Sequence, residues 1–223
     1  RSISQGARQR GAGEVGGAAG ARPGARQEAR NLRQGRLHRE VRAAHRPRCR
    51  LAPFDLSPEG LGGHPRQLEL LEGAKDKAKA SGLWNFFLPD DETGQGLSNL
   101  DYAYIAAELG KEALASETLN CSAPDTGNME VLERVGTPEQ KEQWLKPLLN
   151  GEIRSAYAMT EPSLPSSDAK NISTSAVLDG DDWVINGEKY YISGAGDPRC
   201  KILITMVKTS PDAAPSRQQS QIL

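Results

Sequence analysis

The feature that most constrains this chain is a change in the spacing of its apolar residues near residue 152. From residue 64 to residue 151, apolar side chains recur every three or four positions, as on the buried face of a helix. After residue 152 they form short runs separated by turn-forming residues, which is typical of strands. The sequence therefore predicts an α+β protein, with an all-helical domain over residues 54–152 and a β domain over residues 153–223.

Start and stop signals delimit the predicted helices. The first runs from Pro65 to Gly82 and the second from Ser98 or Asn99 to Gly110. Their expected apolar faces are Leu68, Leu71, Ala74 and Ala78 in the first helix, and Leu100, Tyr104 and Ala107 in the second.

Two further helices are predicted before the change in spacing. Residues 123–128 are rich in turn formers, and a short helix is expected over residues 129–135, ended by Gly136. Thr137 and Gln140 have the spacing of a capping box, so another helix is expected from there to Asn150-Gly151.

The strands are predicted from apolar runs and turn signals. Asn186-Gly187 is a strong signal for a type I′ hairpin, because both central residues of that turn need positive φ. No closing element is expected at the end of the chain, residues 221–223. The predicted strands cover residues 153–160, 176–178, 183–185, 189–193 and 202–207.

Charge is distributed very unevenly along the chain. The first fifty residues hold thirteen Arg, no Lys and three acids, a net charge of +10, whereas residues 51–223 carry −11. The first aromatic residue is Phe54, so residues 1–53 have too few apolar side chains to offset the entropy of ordering and are predicted to be disordered. Three interpretations of this segment stay open: translation outside the natural reading frame, which Arg1 in place of Met favours, an organelle transit segment, and a basic arm for nucleic acid. Nucleic acid is the least favoured partner, since no aromatic residue is interleaved for base stacking.

Composition disfavours several kinds of site. All three histidines precede residue 65, so the later part of the chain cannot form a His-based metal site or a Ser/His triad. Three widely spaced cysteines form neither a disulfide framework nor a zinc knuckle, which favours a reducing, intracellular setting. The longest apolar run, Ile202–Val207, is far shorter than the roughly 18 residues of a membrane helix. We therefore expect neither a metal site nor a membrane span.

Two segments contain residues that could bind a cofactor. The loop within residues 157–168 offers hydroxyls that can hydrogen-bond a heteroaromatic ring or a pyrophosphate. In the predicted strand 189–193, alternation puts Tyr191 and Ser193 on one face, where they could stack on and hydrogen-bond a flat cofactor. A plain connecting loop and an aromatic packed on the sheet remain the alternatives. The hydroxyls of the first segment belong to Thr160, Ser163, Ser166 and Ser167.

Other reactive residues in this part of the chain have ordinary interpretations. Glu161 and Asp168 are expected to be solvated loop acids. Cys121 is expected to be a small buried residue rather than a nucleophile, because no histidine lies near it to activate the thiol.

Three longer motifs lie in this region in a fixed order: Tyr157–Pro162 (Tyr-Ala-Met-Thr-Glu-Pro), Ser166–Asp168 and Trp183–Ser193. Together they resemble the acyl-CoA dehydrogenase family. Two additional segments, Gly82–Asn85 and Ala123–Glu130, resemble the subgroup that in some organisms is fused to a phosphotransferase-like domain. The resemblance covers about residues 64–223 and says nothing of residues 1–50.

The resemblance implies a fold and a cofactor. The family has a helical N-terminal domain, a barrel-like β middle domain and a C-terminal four-helix domain, and this chain is expected to stop before the last of these. The cofactor is FAD, with Met159 and Thr160 at the flavin ring edge and Ser167 near the pyrophosphate and the acyl-CoA. Tyr191 occupies the position of a Trp that lies against the isoalloxazine, and Ser193 that of a Thr near flavin N5. The full set of implied cofactor-binding residues is Tyr157, Met159, Thr160, Ser166, Ser167, Tyr191, Ile192 and Ser193, with Ser167 also binding substrate.

The resemblance also implies a reaction, the α,β-dehydrogenation of acyl-CoA thioesters with electron-transfer flavoprotein as acceptor. The glutamate base comes from the C-terminal domain in relatives, so no catalytic residue is assigned here and the chain alone is expected to be inactive. The alternative is a non-catalytic binding or regulatory fragment that associates with full-length subunits. The full-length form is expected to be a homo-oligomer, cytoplasmic in bacteria and mitochondrial or peroxisomal in eukaryotes.

Overall fold

The structure is a computed structural model that describes residues 65–112 and 114–223. These residues belong to two compact units, Pro65–Cys121 and Ser122–Leu223. The expectations for residues 1–53 lie outside the described residues. Within the described ranges, no helix is both long enough and apolar enough to cross a membrane.

The first unit is helical and confirms both predicted helices. After the first helix, Gly82 adopts φ +69°, a left-handed conformation that suits a glycine at a helix end. The second helix starts with a capping box between Ser98 and Asp101, which satisfies amide groups that the first turn leaves without partners. The helices of this unit are α1 (Pro65–Ala80), α2 (Asn99–Leu109) and α3 (Ala115–Thr118).

The predicted apolar face of α2 is wrong. Leu100 and Tyr104 are 68% and 62% exposed, and the helix buries Ile105 and Leu109 instead. Apolar and small residues occur on every side of this helix, so their spacing could not decide which side packs inward.

The second unit begins with helices whose predicted start needs one correction. Residues 125–128, expected to form a turn, are already helical, because α4 covers Asp125–Val135. Pro124 immediately precedes this helix with φ −82°, and Asp125 lies in its first turn, where an acidic side chain is favoured by the helix dipole. Turn formers at this position therefore mark the start of a helix. Gly136 ends α4 as predicted.

A capping box between Thr137 and Gln140 begins the next helical segment, as predicted. Pro147 has no N–H to donate, which accounts for the wider π-helical turn just before it. The segment consists of α5 (Pro138–Gln140), the π turn (Lys141–Leu145) and α6 (Lys146–Leu149).

A five-stranded mixed sheet completes the second unit and confirms the α+β class. The strand order is β1-β4-β2-β3, with β5 also paired to β4. β4 runs parallel to β1 and β2 and antiparallel to β5, and β2 and β3 form an antiparallel hairpin. The strands are β1 (Arg154–Ala158), β2 (Ser175–Asp179), β3 (Asp182–Asn186), β4 (Cys200–Lys208) and β5 (Gln219–Ile222).

The hairpin expected at Asn186-Gly187 is wrong, and so is the strand over residues 189–193. The chain turns between β2 and β3 at Gly180, which has φ +62°, and β3 ends at Asn186 with irregular backbone after it. Gly187 serves another purpose, since a Cβ there would lie 2.4 Å from Thr174 Oγ1 and 2.7 Å from Thr174 Cα. A glycine is needed at this position for close approach of two backbones rather than for a type I′ turn.

The last strand, β5, forms where no closing element was expected. Its Ile222 is buried with Ala176 of β2 and Val207 of β4, and Trp183 of β3 packs against them. The sheet thus has a small core contributed by four strands.

Helices α4–α6 belong to the same compact unit as the sheet, and not to the first unit. The predicted boundary at residue 152 follows the change in hydrophobic spacing, and it stays a prediction.

Candidate functional site

Two irregular segments that carry most of the predicted site residues are joined to each other. We call residues 159–167, which follow β1, the first loop, and residues 187–193, which follow β3, the second loop. The amide of Tyr190 donates to the carbonyl oxygen of Thr160 at 2.8 Å, and the Thr160 hydroxyl donates to the Tyr190 carbonyl oxygen at 2.5 Å. Because two hydrogen bonds connect the same pair of residues, the loops are held edge to edge.

The expectation that Glu161 is a solvated acid is wrong, because its carboxylate lies at the centre of this junction. Oε2 accepts from the amide and hydroxyl of Ser173 at 2.9 and 2.6 Å, and Oε1 accepts from the same groups of Thr174 at 2.9 and 2.6 Å. Lys189 Nζ donates to Oε1 and to the carbonyl oxygen of Met159, both at 2.9 Å. The side chains of Glu161 and Lys189 are only 4% and 12% exposed, so this is a buried ion pair.

This environment keeps Glu161 ionised. Burial of the carboxylate acts to raise its pKa, but the hydrogen bonds from Ser173, Thr174 and Lys189 together outweigh burial and hold the pKa well below its usual range. A general base needs an accessible oxygen and a pKa near the working pH. Glu161 has neither, so its contribution is structural.

The serines of the first loop differ in what their hydroxyls do. Ser166 is buried, and its hydroxyl accepts from the Glu161 amide at 2.5 Å and donates to the Leu164 carbonyl oxygen at 3.3 Å. That hydroxyl therefore closes the loop on itself. Ser167 is exposed and offers its hydroxyl to solvent. Asp168 is exposed, as expected.

In the second loop, Tyr191 projects from an unusual backbone conformation. It has φ +54°, and its side chain is 83% exposed. Left-handed backbone is costly for a residue with a Cβ, and such conformations cluster at functional sites. The Tyr191 ring contacts the ring of Tyr190 with centroids 4.0 Å apart. Ser193 is exposed nearby in sequence and Ile192 is half-buried, so the loop presents a ring and a hydroxyl without being a strand.

Tyr157 engages the sheet rather than the loops. Its half-buried hydroxyl accepts from Gln221 Nε2 of β5 at 3.2 Å. Burial raises the pKa of Tyr157, and the hydrogen bond from Gln221 offsets only part of that effect. A contact between Tyr157 and a cofactor stays a prediction.

A second buried polar cluster links α4 to the start of β1. The Asp125 carboxylate accepts from the amide and hydroxyl of Ser155 at 2.7 and 2.6 Å and forms an ion pair with Arg154. Asn128 donates to the Ser155 hydroxyl oxygen at 2.8 Å. The motif residues Asp125 and Asn128 therefore anchor the strand that leads into the first loop.

Cys121 is buried in the first unit, as expected, and burial raises the pKa of its thiol to about 11. A thiol with so high a pKa is a poor nucleophile at neutral pH.

Sequence reasoning missed Glu161, Lys189, Ser173 and Thr174 as parts of the site. One signal was available: of the two segments singled out for chemistry, the first carries the acidic Glu161 and the second the basic Lys189. Among the described residues, no group of three or more His, Cys, Asp or Glu side chains could hold a metal ion.

Comparison with known families decides the affiliation of this chain. The family model described as "Acyl-CoA dehydrogenase, N-terminal domain" matches residues 63–152, and the model described as "Acyl-CoA dehydrogenase, middle domain" matches residues 156–223. The chain belongs to the acyl-CoA dehydrogenase family. The resemblance of its motifs to that family is thereby confirmed.

Individual acyl-CoA dehydrogenase relatives agree with this. FadE2 of Mycobacterium tuberculosis is 56% identical over 155 residues, which are 69% of this chain and 37% of FadE2. Acyl-CoA dehydrogenase family member 10 of Mus musculus is 53% identical over 159 residues, which are 69% of this chain and 15% of that protein. The chain thus spans well under half the length of these curated relatives.

A solved structure from Mycobacterium abscessus, named as an acyl-CoA dehydrogenase, is also similar. It is 42% identical with a TM-score of 0.73, over 85% of this chain and 49% of that one. Helices followed by a mixed sheet are therefore the arrangement expected of the family's N-terminal and middle domains.

Proposed function

We propose that this chain supplies the flavin-binding loops of an FAD-dependent acyl-CoA dehydrogenase that desaturates acyl-CoA thioesters between Cα and Cβ. The observation that carries the proposal is Tyr191, an 83% exposed aromatic ring held at φ +54° on a loop that is hydrogen-bonded to the first loop. An exposed ring on a rigid support is suited to stack against a flat cofactor.

The residues of the two loops fit FAD. Tyr191 offers a ring face, while Ser167 and Ser193 offer exposed hydroxyls on either side of the junction. When bound, FAD supplies the acceptor for the hydride that leaves the substrate. The contributions of the chain are to hold the ring, to hydrogen-bond its edge and to keep the two loops together. Ser167 is the residue that we propose for contact with the acyl-CoA.

The proton-abstracting base is not among the residues of these loops. Both oxygens of Glu161 are occupied by Ser173, Thr174 and Lys189. The remaining acid of the second loop, Glu188, is exposed to solvent rather than directed into an enclosed site. We therefore propose that the base comes from outside the described residues and that the 223-residue chain does not catalyse the reaction by itself.

The proposed partners are those of the family: an acyl-CoA substrate, electron-transfer flavoprotein as the electron acceptor, and further copies of the subunit in the full-length form. Relatives occur in bacteria and in mammals. We propose an intracellular location, cytoplasmic in the first case and mitochondrial or peroxisomal in the second.

Titration of FAD with the purified chain tests the cofactor assignment. We expect saturable quenching of flavin fluorescence. We expect Tyr191→Gly to weaken FAD binding by about fivefold, since an aromatic stacking contact contributes on the order of 1 kcal/mol. Tyr191→Trp should restore the affinity because it restores a ring. Tyr104→Gly, which removes an exposed Tyr from the first unit, serves as the control for loss of an aromatic side chain. Absence of saturable binding by the wild-type chain would overturn the proposal.

Dye-linked oxidation assays test the proposed absence of a base. With FAD added, the 223-residue chain is expected to give no acyl-CoA-dependent dye reduction, whether short- or long-chain substrates are offered. An active enzyme of this family, assayed in parallel, is the positive control. Turnover of any acyl-CoA by the chain alone would show that a base is present and would contradict this expectation.

A further inference from the structure

We propose that Glu161 and Lys189 are positioning residues for the flavin: their buried ion pair sets the spacing and orientation of the first and second loops without touching the cofactor. This inference rests on the proposed function, because it assigns a role to residues that support the proposed FAD-binding loops. It goes further in naming which side chains determine whether those loops are correctly placed.

The first argument is that Glu161 joins three separate stretches of backbone. Its own amide is held by the hydroxyl of Ser166 at 2.5 Å, within the first loop. Its carboxylate receives the amides and hydroxyls of Ser173 and Thr174, just before β2. Lys189 adds the second loop. Removal of this one carboxylate would therefore loosen all three stretches at once.

The second argument is that Lys189 is anchored only two positions before Tyr191, so it restricts the backbone that carries the exposed ring. Its ammonium group donates to the Met159 carbonyl oxygen and to Glu161, both at 2.9 Å, and only one residue separates it from Tyr191. That intervening residue, Tyr190, is itself hydrogen-bonded to Thr160 through both its amide N–H and its carbonyl oxygen. A displacement of Lys189 would thus be transmitted almost directly to the ring of Tyr191.

The third argument is that the start of the second loop is pinned to the same cluster. Gly187 lies so close to Thr174 that a Cβ would be 2.4 Å from Thr174 Oγ1. Thr174 in turn donates to Glu161 from its hydroxyl at 2.6 Å. The second loop therefore lies close against the Glu161 cluster at Gly187 and is bonded to it at Lys189.

A buried cluster of this kind has large consequences when one member is lost. Removing one partner leaves buried donors without acceptors, which costs considerably more than the net gain from a single hydrogen bond. The supporting residues around a binding site commonly decide whether its ligand-contacting groups are held within the tolerance that binding requires.

The test compares four variants of the full 223-residue chain: Glu161→Gln, Lys189→Met, Lys189→Arg and, as the matched control, Glu188→Gln. Glu188 is exposed on the same loop, so its replacement repeats the loss of one carboxylate outside the cluster. We expect Glu161→Gln and Lys189→Met each to weaken FAD binding by about tenfold or more, equivalent to one or more buried hydrogen bonds. Lys189→Arg, which keeps a cation, should recover part of the loss.

Two further measurements separate positioning from general destabilisation. The visible absorption bands of flavin bound at saturating FAD should shift in Glu161→Gln, because the ring environment has moved, and should be unchanged in Glu188→Gln. Hydrogen exchange at the Tyr190 amide, measured without FAD, should be about tenfold faster in Glu161→Gln, because opening of the loop junction costs about 1.4 kcal/mol less. Lys189→Met keeps the bonds from Ser173 and Thr174 to Glu161, so it provides a folded variant if Glu161→Gln does not fold.

The outcomes distinguish this inference from the proposed function. If the wild-type chain binds FAD and both cluster variants bind it with the same affinity and spectrum, the positioning role is overturned while the FAD assignment stands. If the wild-type chain binds no FAD, the proposed function is overturned together with the flavin part of this inference. In that case the exchange rate of the Tyr190 amide still decides whether the ion pair couples the loops.

Discussion

Replacing Asp125 with alanine should lower the free energy of unfolding of the second unit by about 3–5 kcal/mol, the usual cost of removing one partner from a buried ion pair. The carboxylate accepts from the amide and hydroxyl of Ser155 at 2.7 and 2.6 Å and is paired with Arg154, and its side chain is 4% exposed. After the substitution, the amide and hydroxyl of Ser155 would lose this acceptor, and Arg154 would lose one ion-pair partner. The start of β1 would lose its main attachment to α4.

Urea unfolding followed by the fluorescence of Trp144 and Trp183 measures this effect. Asp181→Ala, at an exposed position in the turn between β2 and β3, is the control for loss of an aspartate and should change stability by less than about 0.5 kcal/mol. The loss of unfolding free energy in Asp125→Asn should lie between those of Asp125→Ala and Asp181→Ala, since the amide oxygen of asparagine can still accept from Ser155. A loss below about 1 kcal/mol in Asp125→Ala would mean that Asp125 is not the main attachment of the start of β1.

The second large effect concerns acid stability and Glu161. Burial of this carboxylate acts to raise its pKa, yet the hydrogen bonds from Ser173, Thr174 and Lys189 bring it well below the ordinary value of 4.5. The unfolded chain therefore takes up the proton first as the pH falls, and the stabilisation by Glu161 is complete above pH 4.5 and is lost below it. Over that interval this single group should reduce the free energy of unfolding by about 1.4 kcal/mol for each pH unit.

Glu161→Gln isolates this contribution from that of other acids. Near neutral pH the variant should be clearly less stable than the wild type, and the difference should shrink as the pH is lowered below 4.5, because only the wild type loses the ionised carboxylate. Glu188→Gln, which removes an exposed carboxylate from the second loop, is the control and should change the free energy of unfolding near neutral pH by less than about 0.5 kcal/mol. A stability difference that does not vary with pH would contradict the assignment of a low pKa to Glu161.

Local signals predicted the helices well because their determinants lie within a few residues of one another. Thr137 and Gln140 form the capping box that their spacing indicated, and Gly136 ends the preceding helix as predicted. Such contacts involve neighbours in sequence, so no tertiary information is needed to recognise them.

Sequence patterns whose meaning depends on a residue far away in the chain led to wrong predictions. Asn186-Gly187 has the composition of a hairpin turn, but the glycine is required by Thr174, thirteen positions earlier, which leaves no room for a Cβ. Likewise, the spacing of apolar residues in α2 could not reveal that Leu100 and Tyr104 face outward while Ile105 and Leu109 are buried. In both cases the deciding atoms belong to another element of the fold.

The sequence likewise predicted only part of the candidate site. The sequence singled out Thr160, Ser167, Tyr191 and Ser193, and the structure places them on two loops that are bonded to each other. For Glu161, the environment predicted from the sequence was wrong, because a glutamate in a Ser- and Pro-rich segment is normally solvated. Only the approach of Ser173, Thr174 and Lys189 makes burial of that charge favourable.

The sequence by itself determined the helix-to-strand order, the capped helix starts at Ser98 and Thr137, and the two segments that carry the family's motifs, because these depend on short-range periodicity, capping and motif spacing. The tertiary structure alone decided that β5 joins the sheet, that Asp125 anchors β1, and that Glu161 and Lys189 tie the two loops together. Burial of a charge is favourable only when donors from distant parts of the chain converge on it. That convergence is a property of the folded chain and is not encoded in any local pattern.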